Sequence, residues 1–293
     1  MTFYYVVHII LYILFSKKSI INEGKNVIIM KNNTVPGRFS LEKKVAIVTG
    51  GAGLYGRQIV RALAEAGAKV YVASRNMDTL EEFTASERKN GNEVHSAFLD
   101  LADEKSILNM TDTIFRKEGH IDILINNAVS RTMKNGFKSS SSEFDESMHI
   151  NGTGLFVITR STGDHMAEQK KGSIINIGSI RGSTAPQASL YRDTDMNCWQ
   201  PDYNYNKGGM ISFTQFTASY YGRYGVRCNC ISPGGFYTEN TPRQFLERYN
   251  ERTCLGRMGN DSDIQGAVIF LASEASSYIT GINMNVDGGY TAF

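Results

Sequence analysis

Tyr203 and Lys207 are the two residues whose types and spacing point most directly to chemistry. They lie four positions apart in a stretch with a helical pattern, so both side chains face the same side, one turn apart. Tyrosine is a weak base because its ordinary pKa is ~10, and a neighbouring ammonium favours the phenolate. The pair is therefore suited to exchanging a proton with an alcohol. Since the chain holds 15 tyrosines, the spacing could arise by chance, and the surrounding sequence has to decide.

From Lys44 onward, short apolar runs alternate with longer amphipathic stretches. This alternation predicts an α/β fold: a doubly wound, Rossmann-type parallel sheet with helices on both faces. We expect seven strands, at Val45–Val48, Lys69–Ala73, Val94–Leu99, Ile121–Ile125, Ser173–Ile177, Val226–Ile231 and Ile282–Val286. We expect helices between them, at Arg57–Ala68, Glu104–Lys117, Phe144–Glu168, Asn206–Tyr224 and Ser262–Ala275. No linker divides the chain after Leu41, so residues 30–293 are interpreted as one domain.

A glycine-rich turn, Thr49–Gly56 (T-G-G-A-G-L-Y-G), joins the first strand to an amphipathic stretch. Glycines let the backbone approach a diphosphate, whose charge is favoured at a helix N-terminus. The second strand ends in Ser74 and Arg75, where an acidic residue would select NAD and an arginine accommodates the 2′-phosphate of NADP. The sequence therefore favours NADP, although stacking of Arg75 on the adenine would admit NAD as well.

These motifs and those that follow them resemble the short-chain dehydrogenase/reductase family, from about Leu41 to the C-terminus. The glycine turn resembles T-G-x-x-x-G-x-G, with Leu54 in place of the middle glycine. Asn126–Val129 (N-N-A-V) is similar to the family's N-N-A-G, and Pro233–Thr238 matches P-G-x-x-x-T. The resemblance implies cofactor contacts at Thr49, Gly50, Gly53, Leu54, Gly56, Ser74, Arg75, Asp100, Leu101, Asn127, Ala128, Tyr203, Lys207, Gly234 and Thr238.

The same resemblance implies a catalytic set. Ser179, which closes the fifth strand, resembles the family's catalytic serine and would hydrogen-bond the substrate oxygen. Tyr203 would exchange the hydroxyl proton, while Lys207 would bind the nicotinamide ribose and lower the pKa of Tyr203. Asn151 lies in N-G-T-G-L-F, similar to N-x-x-G-x-F, and would help to position Lys207 through a water on a proton relay.

Tyr203 lies further from Ser179 than the corresponding tyrosine does in many relatives, and Tyr191 holds the more usual distance. Four residues after Tyr191, however, stands Asp195, which would raise a tyrosine pKa. Tyr205 is followed at the same spacing by Gly209. Tyr203 therefore keeps the assignment, and the loop Ile180–Asp202 before it is interpreted as carrying an insertion.

The insertion resembles members of the family that act in bacterial surface-sugar pathways, such as flagellin modification and nonulosonate synthesis. Gluconate 5-dehydrogenase-like members are similar in general pattern. We expect an oxidoreductase that transfers a hydride between NAD(P) and a secondary alcohol or carbonyl of a carbohydrate or polyol-like substrate. Two alternatives remain open: reduction of 3-oxoacyl thioesters, and an NADP-binding regulatory protein without turnover. The insertion could equally pack at a subunit interface.

Composition excludes several partners. The formal net charge of +2 and the lack of a basic cluster argue against nucleic acid. The cysteines show no metal-ligand spacing, so we expect no metal, no disulfide framework and a cytoplasmic location. The resemblance implies a homodimer or homotetramer.

The N-terminus is a separate question. The apolar run 3–15 is shorter than the ~20 residues that a membrane-spanning helix needs, so a membrane partner is not favoured. We interpret residues 1–29 as an extension outside the functional protein, with translation starting at Met30. A short membrane anchor is the alternative.

Overall fold

Seven runs of mostly apolar residues form the strands of one parallel sheet in a computed structural model, which describes residues 34–293. The chain divides after Arg38, and all the strands lie in the unit 39–293. They are β1 (Val45–Thr49), β2 (Lys69–Ser74), β3 (Val94–Phe98), β4 (Ile123–Asn126), β5 (Gly172–Ile177), β6 (Val226–Pro233) and β7 (Asn283–Val286). The order β3-β2-β1-β4-β5-β6-β7 confirms the predicted doubly wound fold.

Eight α-helices flank the described sheet: α1 (Leu54–Glu65), α2 (Met77–Lys89), α3 (Glu104–Glu118), α4 (Ser141–Met148), α5 (Gly154–Glu168), α6 (Pro201–Tyr221), α7 (Arg243–Glu251) and α8 (Gln265–Ala272). Strand residues alternate between two apolar layers, because successive side chains point to opposite faces. Ala46 and Val48 pack in the layer with α1, α2 and α8, and Val45 and Ile47 in the layer with α3, α5 and α6. Both faces of the sheet are therefore covered.

The predicted helix over Phe144–Glu168 is wrong as one continuous element. It is divided into α4, a π-helical turn at His149–Thr153, and α5. A Cβ on Gly154 would lie 2.4 Å from the carbonyl oxygen of Leu101, so α5 begins in tight contact with the loop after β3. The π turn adds backbone just before that contact and holds Asn151 in the interior. Such turns are frequent at functional sites.

Two further helices differ from the sequence-based expectation. The sequence pattern predicts no helix between β2 and β3, yet α2 lies there. Its apolar pattern is weak, because only Leu80 and Phe83 form its buried apolar face. The helix expected from Asn206 begins instead at Pro201. Proline suits a first helical position, where no N–H is needed, and this start places Tyr203 in the first turn of α6.

The interpretation of residues 1–29 as an extension lies outside the described residues. Within residues 34–293, no helix combines the length and apolar character that crossing a bilayer demands. The four cysteines, which all lie in this range, are free thiols, and Cys228 and Cys230 are buried, as their strand position indicates.

Candidate functional site

A cleft of about 890 Å³ opens where the carboxyl ends of the strands meet. This is the edge at which open α/β sheets bind ligands, and the order reverses between β1 and β4. Most of the predicted site residues line it: Gly50, Gly53, Leu54, Gly56, Ser74, Arg75, Asp100, Leu101, Asn127, Ala128, Ser179, Tyr203, Lys207 and Gly234. Thr49, Asn151 and Thr238 do not line it.

The glycine turn at the start of α1 has room for backbone and not for side chains. A Cβ on Gly56 would lie 2.4 Å from the carbonyl oxygen of Gly50 and 2.7 Å from the Cα of Gly51. Gly50 adopts a left-handed φ of 63°, which suits glycine. The helix begins after Gly53 with no side-chain cap. Its first N–H groups therefore remain available for an anion, and the turn fits a phosphate group.

Thr49 supports this turn from below. It is buried, and its hydroxyl accepts hydrogen bonds from the backbone N–H groups of Asn127 and Ala128, both at 3.0 Å. The Asn127 amide in turn donates to the carbonyl oxygens of Thr49 and Gly50, at 3.0 and 2.9 Å. The turns after β1 and β4 are thereby fixed to one another. Thr49 thus acts on the cleft through its neighbours.

At the end of β2, the Arg75 side chain is exposed at the cleft, and no carboxylate pairs with it among residues 34–293. An unpaired guanidinium in this position is suited to a phosphate. Asp100, after β3, uses one carboxylate oxygen to accept the backbone N–H of Ala102 at 2.9 Å. This bond shapes the loop after β3 at this end of the cleft.

Tyr203 lies between three groups that favour its phenolate. Lys207 Nζ is 5.7 Å from the centroid of the Tyr203 ring. The guanidinium carbon of Arg131, from the loop after β4, is 4.6 Å from the same centroid. Burial by itself would raise the pKa of Tyr203. The charge of Lys207, a hydrogen bond with Ser179 and the charge of Arg131 outweigh burial, so the pKa lies below its ordinary value.

Lys207 is buried, and its ammonium donates to the carbonyl oxygen of Ile177 at the end of β5. Burial disfavours the charged form and lowers the pKa of this ammonium, although the neighbouring Tyr203 opposes the shift. Ser179 follows two residues after Ile177, and its hydroxyl accepts the backbone N–H of Arg181 at 3.1 Å. The end of β5 therefore holds Ser179 and Lys207 at fixed positions beside Tyr203.

Asn151 connects the π turn to the loop after β4. Its side-chain oxygen accepts the N–H of Ser130 at 2.7 Å, and its amide donates to the Ser130 carbonyl at 2.8 Å. The amide also donates to the Ser147 hydroxyl at 3.0 Å, which in turn donates to the buried carboxylate of Asp202 at 2.6 Å. Asn151 and Lys207 both line a small separate cavity of about 20 Å³.

Two arginines at the cleft escaped sequence reasoning. Arg131 follows the position where Val129 replaces a family glycine, and Arg181 follows Ser179 by two residues. No motif contains either residue, so spacing gave no signal for them. Proximity to Val129 and Ser179 in the chain was the one available indication.

The insertion before Tyr203 covers one wall of the cleft. Its Leu190 packs with Phe245 and Tyr249 of α7 in a third apolar cluster. Asp193 pairs with Arg248 of α7 at 3.0 Å, and the Asn197 amide donates to the Lys134 carbonyl in the loop after β4. Tyr191, Met196, Asn197 and Cys198 line the cleft itself. Thr238 lies apart from this wall, and its hydroxyl contacts that of Thr241.

Comparison with known proteins adds to this geometry. A family model described as enoyl-(acyl carrier protein) reductase matches residues 53–291. Gluconate 5-dehydrogenase of Gluconobacter oxydans (strain 621H) is 32% identical over 262 residues, covering 87% of this chain and 98% of that protein. The chain belongs to the short-chain dehydrogenase/reductase family. It is an oxidoreductase of that family.

Two further relatives differ from one another in the activity that their names describe. 3-Oxoacyl-[acyl-carrier-protein] reductase of Aquifex aeolicus (strain VF5) is 32% identical over 253 residues, covering 85% of this chain and 98% of that protein. A crystal structure of a gluconate 5-dehydrogenase from Burkholderia cenocepacia J2315, in complex with NADP and tartrate, superposes with a TM-score of 0.78 at 29% identity. It covers 87% of this chain and 98% of that one. Short-chain dehydrogenase/reductases with different substrates thus share this fold, and residues of the cleft have to determine the substrate specificity.

Proposed function

We propose that this protein catalyses the NADP-dependent interconversion of a secondary alcohol and its ketone on a carbohydrate or polyol-like substrate. The observation that carries the proposal is the placement of Tyr203 beside Lys207 and Ser179 in a cleft that begins at a side-chain-free glycine turn. One end of the cleft suits a dinucleotide, and the other presents a tyrosine with a lowered pKa.

Residues at one end of the cleft would hold NADP. The turn at Gly50–Gly56 and the start of α1 would hold the diphosphate, and Arg75 would hold the 2′-phosphate. Support comes from the gluconate 5-dehydrogenase solved with NADP. When bound, the nicotinamide accepts or donates the hydride. The remaining work, which is orientation and proton transfer, falls to side chains of this chain.

In the oxidation direction, Tyr203 takes the hydroxyl proton of the alcohol, and Ser179 donates a hydrogen bond that orients the substrate oxygen. Lys207 keeps the phenolate favoured by its charge and would bind the nicotinamide ribose. As the proton taken by Tyr203 is passed on toward Lys207, the Lys207 ammonium releases a proton toward Asn151, so Tyr203 returns to the phenolate and the charge of Lys207 is unchanged. The cavity of about 20 Å³ that both residues line has room for one water on this route.

The substrate class is supported by the insertion and by the similarity to gluconate 5-dehydrogenases. The insertion presents polar side chains to the cleft, such as Gln200, which suit hydroxyl-rich ligands. A 3-oxoacyl thioester is a second candidate, favoured by the 32% identity to 3-oxoacyl-[acyl-carrier-protein] reductase. Such an acyl chain needs an apolar channel, whereas the wall here also carries Arg131 and Arg181.

Turnover assays test the proposal. The purified protein is incubated with NADP or NAD and polyols or sugars, and in reverse with NADPH and 3-oxoacyl esters, while reduced nicotinamide is followed by absorbance. We expect polyol or sugar oxidation with NADP. A preference for oxoacyl esters would favour the second candidate. Cofactor binding without any turnover would instead indicate a regulatory protein.

The role of Tyr203 is tested by Tyr203→Phe, with Tyr205→Phe as the matched control on the same helix. Tyr203→Phe removes the proton-exchanging hydroxyl and keeps the ring. We expect turnover to fall by about 100-fold or more, with NADP affinity nearly unchanged. Tyr205 is exposed, and its variant should behave as the wild type. Retained activity in Tyr203→Phe would refute the assignment.

We also propose that the protein acts in the cytoplasm as a homodimer or homotetramer. Free cysteines support a reducing compartment. Exposed aromatic side chains on α5 and α6 support association.

A further inference from the structure

Two guanidinium groups line the same cleft as Tyr203 without a carboxylate partner among the described residues. Arg131 belongs to the loop after β4, and Arg181 belongs to the short 3₁₀ turn Ile180–Gly182 after β5. The remaining cations on the cleft wall already have a role, since Lys207 faces Tyr203 and Arg75 lies at the end of β2. The two arginines therefore carry positive charge that the dinucleotide site leaves unused.

Arg181 is held in place by neutral acceptors. Its Nη1 donates to the carbonyl oxygen of Ala185 at 2.8 Å, and its Nη2 donates to the Tyr191 hydroxyl at 3.1 Å. Its guanidinium carbon also lies 5.9 Å from the ring centroid of Tyr290. A guanidinium has five N–H donors, so donors remain free. The side chain is positioned in advance, and its charge is not neutralised.

Arg131 lies directly at the reacting end of the cleft. Its guanidinium carbon is 4.6 Å from the ring centroid of Tyr203, and its side chain is exposed to the cleft. It forms no ion pair with any residue of the described chain. A ligand group that contacts Arg131 would thus lie close to the carbon that exchanges the hydride and to the hydroxyl group that exchanges its proton with Tyr203.

The phosphates of the dinucleotide lie at other positions along the sheet. β1 and β4 stand between β2 and β5, and neighbouring strands are ~4.8 Å apart, so Arg181 and Arg75 are separated by about 14 Å at the strand ends. The diphosphate is accounted for by the glycine turn of α1. Asp100, after β3 at the sheet edge, is the one carboxylate on the described cleft wall. The substrate end is therefore positively charged.

We propose that Arg131 and Arg181 form a subsite for an anionic group of the substrate, a carboxylate or a phosphate, close to the carbon that is oxidised. Both anions match the planar fork of a guanidinium through paired hydrogen bonds. The inference rests on the proposed function and narrows its substrate class from polyols in general to acidic ones. Neutral polyols would leave both guanidinium groups without a carboxylate or phosphate partner.

Three ligands with the same six-carbon chain test the subsite: sorbitol, which is neutral, gluconate, which carries a carboxylate, and sorbitol 6-phosphate. Binding is measured by calorimetry to the NADP-saturated Tyr203→Phe protein, in which the expected loss of turnover leaves binding alone to be read. We expect one or both anions to bind about tenfold or more tightly than sorbitol. A preference for gluconate identifies a carboxylate subsite, and a preference for sorbitol 6-phosphate identifies a phosphate subsite. If neither anion binds more tightly than sorbitol, the proposal is overturned.

Arg131→Met and Arg181→Met, in the same Tyr203→Phe background, locate the effect. Each should lower the affinity for the preferred anion by about tenfold or more and leave sorbitol binding unchanged. Arg192→Met is the matched control, because Arg192 lies in the same loop as Arg181, before Tyr203, and does not line the cleft. Anion binding that survives both substitutions overturns the subsite, as does an equal loss in the control.

The outcome is separable from that of the proposed function, because binding is measured without turnover. Tight anion binding that depends on both arginines, together with no oxidation of any alcohol by the wild type, would support the subsite and reject the reaction. Oxidation of neutral polyols with no anion preference would do the reverse.

Discussion

The chemistry proposed for Tyr203 depends on a balance at a single hydroxyl group. Burial pushes the pKa of Tyr203 upward, and Lys207, Ser179 and Arg131 together push it below its ordinary value. The phenolate is the form that accepts a proton from an alcohol, and its population rises as pH passes the pKa. Alcohol oxidation should therefore rise with pH along a limb that lies below pH ~10.

Arg131→Met should move this limb to higher pH. The substitution removes one positive charge beside the ring, so the phenolate is less favoured and the pKa of Tyr203 rises. The measurement is kcat/KM for alcohol oxidation as a function of pH, compared between wild type and variant. Arg192→Met should leave the limb in place. A limb that stays fixed or moves to lower pH in Arg131→Met would contradict the electrostatic role.

The spacing of Tyr203 and Lys207 predicted them as neighbours, because they lie one helix turn apart, and the family resemblance added Ser179 at the end of the fifth strand. Neither the spacing nor the resemblance could predict Arg131. Its approach to Tyr203 depends on the path of the irregular loop after β4, which no periodicity describes. The cofactor contact of Thr238, which a matching motif predicts, stays a prediction; its hydroxyl lies 3.3 Å from that of Thr241.

At the scale of elements, the junction of β1 and α1 depends on one close backbone approach. Gly56→Ala would bring a Cβ to 2.4 Å from Gly50 O. The atoms nearest to this Cβ belong to the backbone of Gly50 and Gly51, so the turn itself would have to shift. We expect Gly56→Ala to weaken NADP binding by about tenfold or more and to cost ~1–3 kcal/mol of stability.

Gly266→Ala is the matched control, because Gly266 lies on α8 outside the cleft and a Cβ there would meet no atom within 4 Å. Its NADP affinity should stay within about twofold of wild type, since an exposed substitution of this kind changes the free energy by roughly 0.5 kcal/mol or less. Fluorescence titration with NADP and urea unfolding measure both variants. Equal behaviour of the two would show that the turn does not depend on the close approach at Gly56.

The contact of α4 with α6 includes a buried carboxylate. Asp202 is fully buried and accepts the Ser147 hydroxyl at 2.6 Å, while its Oδ1 has no hydrogen-bond partner among the described residues. Ser147 also supports Asn151 at 3.0 Å. Asp202→Ala removes this link, and the Ser147 hydroxyl loses a charged acceptor. We expect the free energy of unfolding to fall by ~1.5–3 kcal/mol.

Urea denaturation checks this expectation, with Asp195→Ala as the control. Asp195 lies in the insertion, and its side chain is exposed and forms no ion pair within residues 34–293. Its loss should change stability by less than ~0.5 kcal/mol. If Asp202→Ala were as stable as Asp195→Ala, the bond to Ser147 would not hold the two helices together.

Apolar patterning was sufficient to predict all seven strands. β1 and β4, which are buried along their whole length, leave nearly unbroken apolar runs, whereas β3 and β7 at the two sheet edges are only partly buried and mix apolar with polar residues. The patterning was insufficient for the π turn at His149–Thr153. A π turn adds one residue to a helix whose apolar pattern continues on both sides, so the sequence around Asn151 looks uniformly helical. What forces the interruption is the contact of Gly154 with Leu101, between segments far apart in the chain.

At the scale of the whole molecule, large aromatic side chains remain exposed on two neighbouring helices. Phe216 and Tyr220 of α6 are 66% and 49% exposed and lie one turn apart, and Phe156 of α5 is 47% exposed. The two helices pack together, since a Cβ on Gly163 of α5 would lie 2.7 Å from the Tyr221 ring of α6. Burial of apolar surface contributes ~25 cal/mol per Å², so this patch favours association with a second copy.

Phe216→Glu combined with Tyr220→Glu should therefore dissociate the protein. Two carboxylates at the centre of the interface would each lose hydration on association, which is costly unless they are paired. The measurement is molar mass by light scattering during gel filtration. We expect a wild-type mass of two or four chains and a mass reduced by about half or more in the variant. Phe137→Glu is the control, because Phe137 is 96% exposed in the loop after β4 and its variant should keep the wild-type mass. A monomeric wild type, or a double variant with unchanged mass, would show that the aromatic side chains of α5 and α6 serve some other purpose than pairing two copies of the chain.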